Sequence, residues 1–261
     1  MNNPKVSIIT ICFNAEKTIG QTIESVLNQQ YNNIEYIIID GASKDNTLSV
    51  IEPFRLRISK VISEPDKGLY DAFNKGLRLA TGDIIGILNS DDFYPNSMVI
   101  QKVVNIFNNN AGAEAVSTSV QIFKNNQFIQ PFRTYKAKNF KLWQFRFGMQ
   151  PPHPGFFITK EALSKVGYYN DQYRISGDFD WLLRAILLNK VKTIYDNFIT
   201  VYMRDGGLSA SGFSSKKRMN QENLKSLRSN GIYSNQLLIY SKYLFKIFQL
   251  NLFPTSKKKA V

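Results

Sequence analysis

Residues 82–97 read GDIIGILNSDDFYPNS, and the break after Leu88 decides the fold. Ile84 to Leu88 form a short apolar run that stops at Asn89-Ser90 and delivers two adjacent carboxylates, Asp91 and Asp92. A run of this length bounded by turn residues reads as a buried strand. Toward the N-terminus, KVSIITICF (5–13), IEYIIID (34–40) and KVISE (60–64) are runs of the same kind. Between them, Ile19, Ile23, Val26 and Leu27, then Leu69, Phe73, Leu77 and Ala80, follow helical spacing. A short helix runs through Val50 and Ile51 and stops near Pro53. Strand alternating with helix predicts βαβ units and a parallel sheet covered on both faces.

In open α/β sheets, ligands bind outside the carboxyl ends of the strands. Those ends carry Phe13-Asn14, Asp40, Glu64-Pro65-Asp66 and Asp91-Asp92. Crowded carboxylates are costly unless something cationic sits among them. A divalent metal carrying an anionic substrate meets that need. One Asp would be enough to start the next helix; two, beside other acidic strand ends, favour metal or ribose binding. Asp40 is placed to hydrogen-bond a nucleobase or a ribose. Asp66, Lys67 and Gly68 fall at the same edge, with an ordinary surface turn as the alternative. No GxGxxG follows the first strand, so a dinucleotide site is unsupported.

The second part is less regular. A helix is expected over 97–109, then a hairpin of EAVSTSVQIF and QFIQPFRTY turning at KNN. GFFIT reads as a strand and KEALSKVG as a helix ended by Gly167. Asp178 to Asn189 is apolar nearly all round and reads as a buried helix. KVKTIYD and FITVYM are expected as two short strands, and helices over 214–229 and 236–252 finish the chain. His153, the single histidine, sits in the rigid segment PPHPGFF and is either structural or a site residue. Asp178 and Asp180 are either helix-start residues or a general base beside Trp181 in a partly dry pocket.

The 261 residues, 43% of them apolar, suit one large domain with a sizeable core. One cysteine, Cys12, excludes a disulfide framework and a cysteine zinc site, and a reducing compartment is expected. The N-terminal residues lack the pattern of a signal peptide. No uncharged apolar run approaches the ~20 residues that span a bilayer. Residues 1–100 hold 9 Lys/Arg and 12 Asp/Glu, whereas residues 101–261 hold 24 and 8. Such asymmetry suits an anionic partner: a phospholipid surface, a phosphorylated substrate or nucleic acid. Solubility alone is the plainer explanation. In NQLLIYSKYLFKIFQLNLFPTSKKK (235–259), Lys242, Lys246 and Gln249 mark a narrow polar stripe and Lys257 to Lys259 follow. Such a helix suits a membrane interface, or packing on its own domain or on a dimer partner.

Five pieces in order, VSIITICFN, IIIDGASKDNT, SEPDKGLYDAFNKGLRLATGDIIGILNSDD, HPGFFITKEAL and GDFDWLLR, resemble family 2 glycosyltransferases over roughly residues 4–190. With EPDKG and NSDD, the likeness is to the bacterial branch that builds O-antigen, colanic acid, capsule or exopolysaccharide. The resemblance implies the GT-A fold: an α/β, Rossmann-like, mixed but mainly parallel sheet flanked by helices. It implies a transferase domain over 1–210, with 1–95 binding the nucleotide sugar and 96–210 the acceptor, and a basic helical extension over 211–261. Phe13 and Asp40 would contact the nucleobase, with Asp66 and Lys67 nearby. Asp91 would bind the ribose, and Asp92 would ligate Mn2+ or Mg2+, with Asp91 and His153 as further metal candidates. Asp178 would be the catalytic base, and Asp180 and Trp181 would face the acceptor.

Two positions depart from the family pattern. Gly177 replaces the Glu before the base, and Phe73 stands where many relatives carry Arg, leaving diphosphate contacts to Lys67 or His153. The implied reaction is an inverting transfer from a nucleotide sugar, UDP first, to a glycan or polyprenyl-diphosphate-linked acceptor. The implied place is peripheral, on the inner face of the cytoplasmic membrane, with no nucleic-acid partner and with a homodimer compatible. A sugar nucleotidyltransferase would want a glycine-rich basic loop after the first strand, which CFNAEKT lacks. A non-catalytic anion-binding module would explain the charge alone and would need none of Asp91, Asp92 and Asp178.

Overall fold

The computed structural model describes residues 3–124, 128–206 and 212–249. Its elements are β1 (Val6–Cys12), α1 (Ile19–Leu27), β2 (Ile34–Asp40), α2 (Thr47–Ile51), β3 (Lys60–Ser63), α3 (Leu69–Leu79), β4 (Ile84–Ile87) and α4 (Val99–Asn109). The second part holds β5 (Ala115–Phe123), β6 (Arg133–Tyr135), β7 (Phe156–Thr159), α5 (Lys160–Val166), α6 (Gly177–Leu183), β8 (Thr193–Arg204), α7 (Gly212–Ser229) and α8 (Gln236–Gln249).

One eight-stranded sheet runs in the order β3-β2-β1-β4-β7-β5-β6, with β8 pairing β5. The first four strands are parallel, β7 is antiparallel to β4 and to β5, and β8 is parallel to β5. Adjacent strand residues point to opposite faces, so the isoleucine-rich runs supply two cores. Ile9, Ile37, Ile39, Ile85 and Ile87 pack with Phe73 and Leu77 of α3 and with Trp181. Ile8, Ile38 and Ile84 pack on the other face with Ile23, Val103 and Phe157. Each such buried side chain contributes about 1.5–3 kcal/mol relative to exposure. Chain order reverses between β1 and β4, and at such a switch point a crevice opens beyond the strand ends. Phe13 follows β1 there, and Asp91 and Asp92 follow β4.

Several expectations are corrected. Residues 193–204 form one strand, because Asp196-Asn197 is absorbed as an irregularity between Ser117 and Val120 of β5. Asp196 Oδ1 accepts the Phe198 amide at 2.7 Å, so its turn chemistry is satisfied inside the strand. The second hairpin strand is only Arg133–Tyr135, and of its expected turn over Lys124 to Asn126 the two asparagines lie outside the described residues. The buried helix from Asp178 changes from α to π winding after Leu183. Two 3-10 segments, Ala137–Asn139 and Leu142–Phe147, occupy a stretch with no readable period.

In the last helix one residue of the expected polar stripe is turned inward. Lys242 is buried, with Nζ 3.4 Å from the Gly148 carbonyl, whereas Leu237, Tyr240 and Leu244 are exposed. Residues 250–252 of that expected helix, and Lys257 to Lys259, lie outside the described residues.

Candidate active site

The carboxyl edge of the sheet is built from three strand ends. Phe13 stands 58% exposed beyond β1. A Cβ on Gly41 would lie 2.4 Å from Asp66 Oδ2 and 3.4 Å from Phe13 Cδ2, so only glycine lets the Asp66 carboxylate lie over this backbone. Asp66 Oδ1 accepts the Gly68 amide at 2.9 Å. Lys67 is exposed on the same turn, its backbone amide donating to Asp71. Asn14 and Ala42 both adopt left-handed backbone, at φ 50° and 60°. The Asn14 amide donates to Ser43 Oγ, and the Lys44 amide to Asn14 Oδ1. Left-handed backbone at a non-glycine residue disfavours the chain by about 1–2 kcal/mol and clusters at ligand clamps.

Asp40 is a correction. It sits in register with Cys12 and Ser63, fully buried. Its Oδ2 accepts from Ser63 Oγ at 2.6 Å and from the Ser43 amide at 3.0 Å, and its Oδ1 accepts the Ser43 hydroxyl. The carboxylate is therefore saturated by its own loops. It fixes the loop that carries Gly41 and Ser43, and no oxygen is exposed to a nucleobase.

The paired aspartates differ sharply. Asp92 is 1% exposed, with Oδ2 accepting from Asn89 Nδ2 at 3.0 Å. Its Oδ1 is buried with no hydrogen-bond partner. Burial, then the neighbouring Asp91, push the Asp92 carboxyl well above the usual range; burial raises Asp91 as well. The cation at this corner is Arg204, at the end of β8. Its Nη1 donates to the Asp91 carbonyl and its Nη2 to Gln21, and its guanidinium faces the rings of Phe93 and Phe128. A buried lone oxygen beside a second carboxylate fits a hard divalent cation. Among the described residues no three of His, Cys, Asp and Glu gather to hold a metal unaided. Asp92 and Asp91 would share such an ion with a ligand's own oxygens.

Asp178 lies in the first turn of α6, half-buried. Its Oδ1 accepts the Phe179 amide at 2.8 Å, and its Oδ2 accepts from Gln150 Nε2 at 2.6 Å. The Tyr70 hydroxyl donates to the Ile175 carbonyl at 2.6 Å and lies 3.3 Å from Asp178 Oδ1. Burial, then Asp178, raise the Tyr70 phenol and keep it neutral. Glu222 of α7 accepts the backbone amides of Arg174, Ile175 and Ser176, fixing the turn that presents Asp178.

Three further expectations are corrected here. Asp180 is buried, held by Arg184 Nε at 2.9 Å, Ser226 Oγ at 2.8 Å and Asn230 Nδ2 at 3.2 Å, so it ties α6 to α7 and faces no acceptor. Trp181 is a core residue, its indole donating to the Gly167 carbonyl and its ring stacked on Tyr169. His153 is buried with Nε2 2.7 Å from the Tyr169 hydroxyl, among the rings of Phe73 and Tyr169, and does not join Asp91 and Asp92. Burial lowers its pKa against the pull of Asp178. Phe73 is buried in that cluster, so no side chain reaches a diphosphate from its position.

Residues 7–169 match the model of glycosyl transferase family 2. The chain belongs to this family. It is 33% identical over 193 residues to an uncharacterized glycosyltransferase of Mycobacterium tuberculosis, covering 73% of this chain and 72% of that one. It is 27% identical over 213 residues to a PGL/p-HBAD biosynthesis glycosyltransferase of Mycobacterium bovis, covering 80% of each. The S. aureus TarS 1-349 structure in complex with UDP-GlcNAc superposes with TM-score 0.67 at 16% identity, over 94% of this chain and 72% of that one. The Pyrobaculum calidifontis mannosyltransferase PcManGT, in complex with GDP-Man and Mn2+, gives 0.65 at 16% identity, over 92% and 69%. The fold is that of the GT-A glycosyltransferases, and the chain is a family 2 glycosyltransferase. The family match ends before Asp178. Gly177, where the family's Glu was expected, has a local cause: a Cβ there would stand 2.7–2.8 Å from ring atoms of Tyr70.

Proposed function

We propose that this glycosyltransferase moves a sugar from a nucleotide donor, UDP first, to an acceptor hydroxyl by a metal-dependent, inverting single displacement. The observation that carries the reading is the partnerless, buried Oδ1 of Asp92 beside Asp91, at the sheet edge that also presents Phe13 and Asp66. The exposed Phe13 ring offers a face for the base, and Asp66 an acceptor for its edge or for the ribose. Asp92, with Asp91, would hold Mn2+ or Mg2+. A bound ion would supply positive charge for the diphosphate leaving group. Asp178 takes the proton of the attacking hydroxyl while the oxygen of that hydroxyl bonds to the anomeric carbon. The bond from that carbon to the diphosphate breaks in the same step, and the diphosphate leaves with the electron pair. Attack opposite the leaving group inverts the centre. Gln150 and the Phe179 amide hold the Asp178 carboxylate in place for that transfer.

We assign the acceptor half to residues 96–210 and a basic C-terminal extension to residues 211–261. The acceptor is a glycan or a polyprenyl-diphosphate-linked saccharide at the inner face of the cytoplasmic membrane. Support comes from Leu237, Tyr240 and Leu244, exposed at helical spacing on α8, and from exposed Leu142 and Trp143 on the 3-10 segment that α8 packs against. Among the described residues no helix is long and apolar enough to cross a membrane, so attachment by this face would be peripheral. Flotation with anionic vesicles tests it, with a Leu237→Ser, Leu244→Ser variant left unbound.

The reading as a whole is tested by thermal stability with UDP, GDP, dTDP and CDP, each with and without Mn2+. A ligand at about 100 times its Kd adds roughly 2.7 kcal/mol. Stabilisation by UDP only with metal, absent in Asp92→Asn, is the expected result. Asp178→Asn should keep that response and lose about 10²–10⁴-fold in turnover. No response to any nucleotide would overturn the reading.

A further inference from the structure

Gln150 has a second side. Beyond its bond to Asp178 it lines an open cleft of about 420 Å3, and its Oε1 is buried without a partner. The volume lies within the range of small-molecule sites, about 300–1,000 Å3. Its walls come from β6, from both 3-10 segments and from Pro151-Pro152, whose fixed φ keeps that wall rigid. Its charged lining residues are Arg133 and Lys136, with no carboxylate among them. Lys136 is exposed, and the Arg133 guanidinium is braced 4.4 Å over the Tyr135 ring. Nothing in the donor edge uses this space: the donor-edge residues Phe13, Asp66, Asp91 and Asp92 are absent from its lining.

Resting on the functional reading above, we infer that this cleft is the acceptor subsite and takes a phosphorylated glycoside. The phosphate sits at Lys136 and Arg133, the sugar lies along Tyr135 and Phe140, and a hydroxyl passes Gln150 to reach Asp178. A cleft whose lining holds two cations and no carboxylate selects an anion, because a charge-assisted bond to phosphate is roughly twice as strong as a neutral one. The lone Gln150 Oε1 is the acceptor that a sugar hydroxyl would satisfy. The phosphate is carried either by a soluble sugar phosphate or by a lipid.

The test is calorimetry on the full chain in EDTA, with glucose 1-phosphate, geranyl phosphate and methyl glucoside as probes. Glucose 1-phosphate or geranyl phosphate should bind wild type, and Lys136→Gln or Arg133→Gln should weaken that binding by about tenfold each. Asp92→Asn should leave it unchanged, and methyl glucoside should bind more weakly and ignore the charge variants. Tighter geranyl phosphate marks a lipid-borne group, and tighter glucose 1-phosphate a soluble one; either supports the cleft. Equal phosphate binding in the charge variants, or loss in Asp92→Asn, overturns it. The UDP and Mn2+ response of the same variants reports that they fold. Loss of that response in wild type, with phosphate binding intact, strikes the functional reading; loss of phosphate binding alone strikes the cleft.

Discussion

Gln150 donates to Asp178 across 2.6 Å, linking one wall of the 420 Å3 cleft to the candidate base. A hydrogen bond to a charged group is worth about 1.5–3 kcal/mol. Gln150→Ala should therefore lower kcat by roughly 10–100-fold. The donor KM should stay within about twofold, because Gln150 touches no part of the nucleotide edge. Steady-state kinetics at varied donor concentration checks the split, and an equal rise in KM would count against it.

Tyr70 explains Gly177. Because a Cβ at 177 would press on the Tyr70 ring at 2.7–2.8 Å, Gly177→Ala should destabilise the fold by about 1–3 kcal/mol. Adding Tyr70→Leu should restore part of that loss. Urea unfolding of the double variant decides it, and strictly additive effects would remove the explanation.

Asp92→Asn should raise the metal-free melting temperature at neutral pH. The folded-state carboxyl is pushed above its ordinary value of 3.8 by burial and by Asp91. A raised acid destabilises the fold as pH climbs above its unfolded value, so the gap to wild type should widen upward and close as pH falls toward 3.8. Melting curves across pH in EDTA read this directly.

Phe13→Ala should leave stability within about 0.5 kcal/mol, since the ring is largely exposed. Nucleotide affinity should fall by roughly tenfold or more, the scale of a lost aromatic stack of about 1–3 kcal/mol. Titration with UDP and Mn2+ checks it, and an unchanged Kd would move the base elsewhere.

Glu35 predicts acid sensitivity far from the site. Desolvation pushes its carboxyl up, but bonds from Ser7 Oγ at 2.6 Å and from Thr81 at 2.7 and 2.8 Å, with Lys5 nearby, hold it below the usual range. A depressed acid contributes stability that is present above its unfolded value of 4.5 and is lost as pH falls through the folded value. Glu35→Ala should cost about 1–3 kcal/mol at neutral pH. Its deficit should shrink in acid, and a deficit independent of pH would refute the assignment.

The alternation from β1 to β4 was legible because buried strands and amphipathic helices write their periods into neighbouring residues. The 3-10 segments write none, and β8 carries Asp196-Asn197, which reads locally as a break. The missed site residues show the same limit. Gln150 meets Asp178 at a separation of 28 residues, Glu222 meets Ile175 at 47 and Arg204 meets Asp91 at 113. A glutamine before two prolines, a glutamate within a charged helix and an arginine ending a strand carry no local signal of such roles.

The sequence by itself determined the strand–helix order and therefore which edge of the sheet gathers Phe13, Asp66, Asp91 and Asp92, because hydrophobic period and turn chemistry are local properties. Only the tertiary structure decided which carboxylates stay open to chemistry. Asp40 and Asp180 are saturated by serines, an asparagine and an arginine, whereas Asp92 keeps a buried oxygen without a partner and Asp178 is braced by Gln150. Burial and hydrogen-bond satisfaction depend on what the rest of the fold brings alongside, and many of those neighbours lie tens of residues away in the chain.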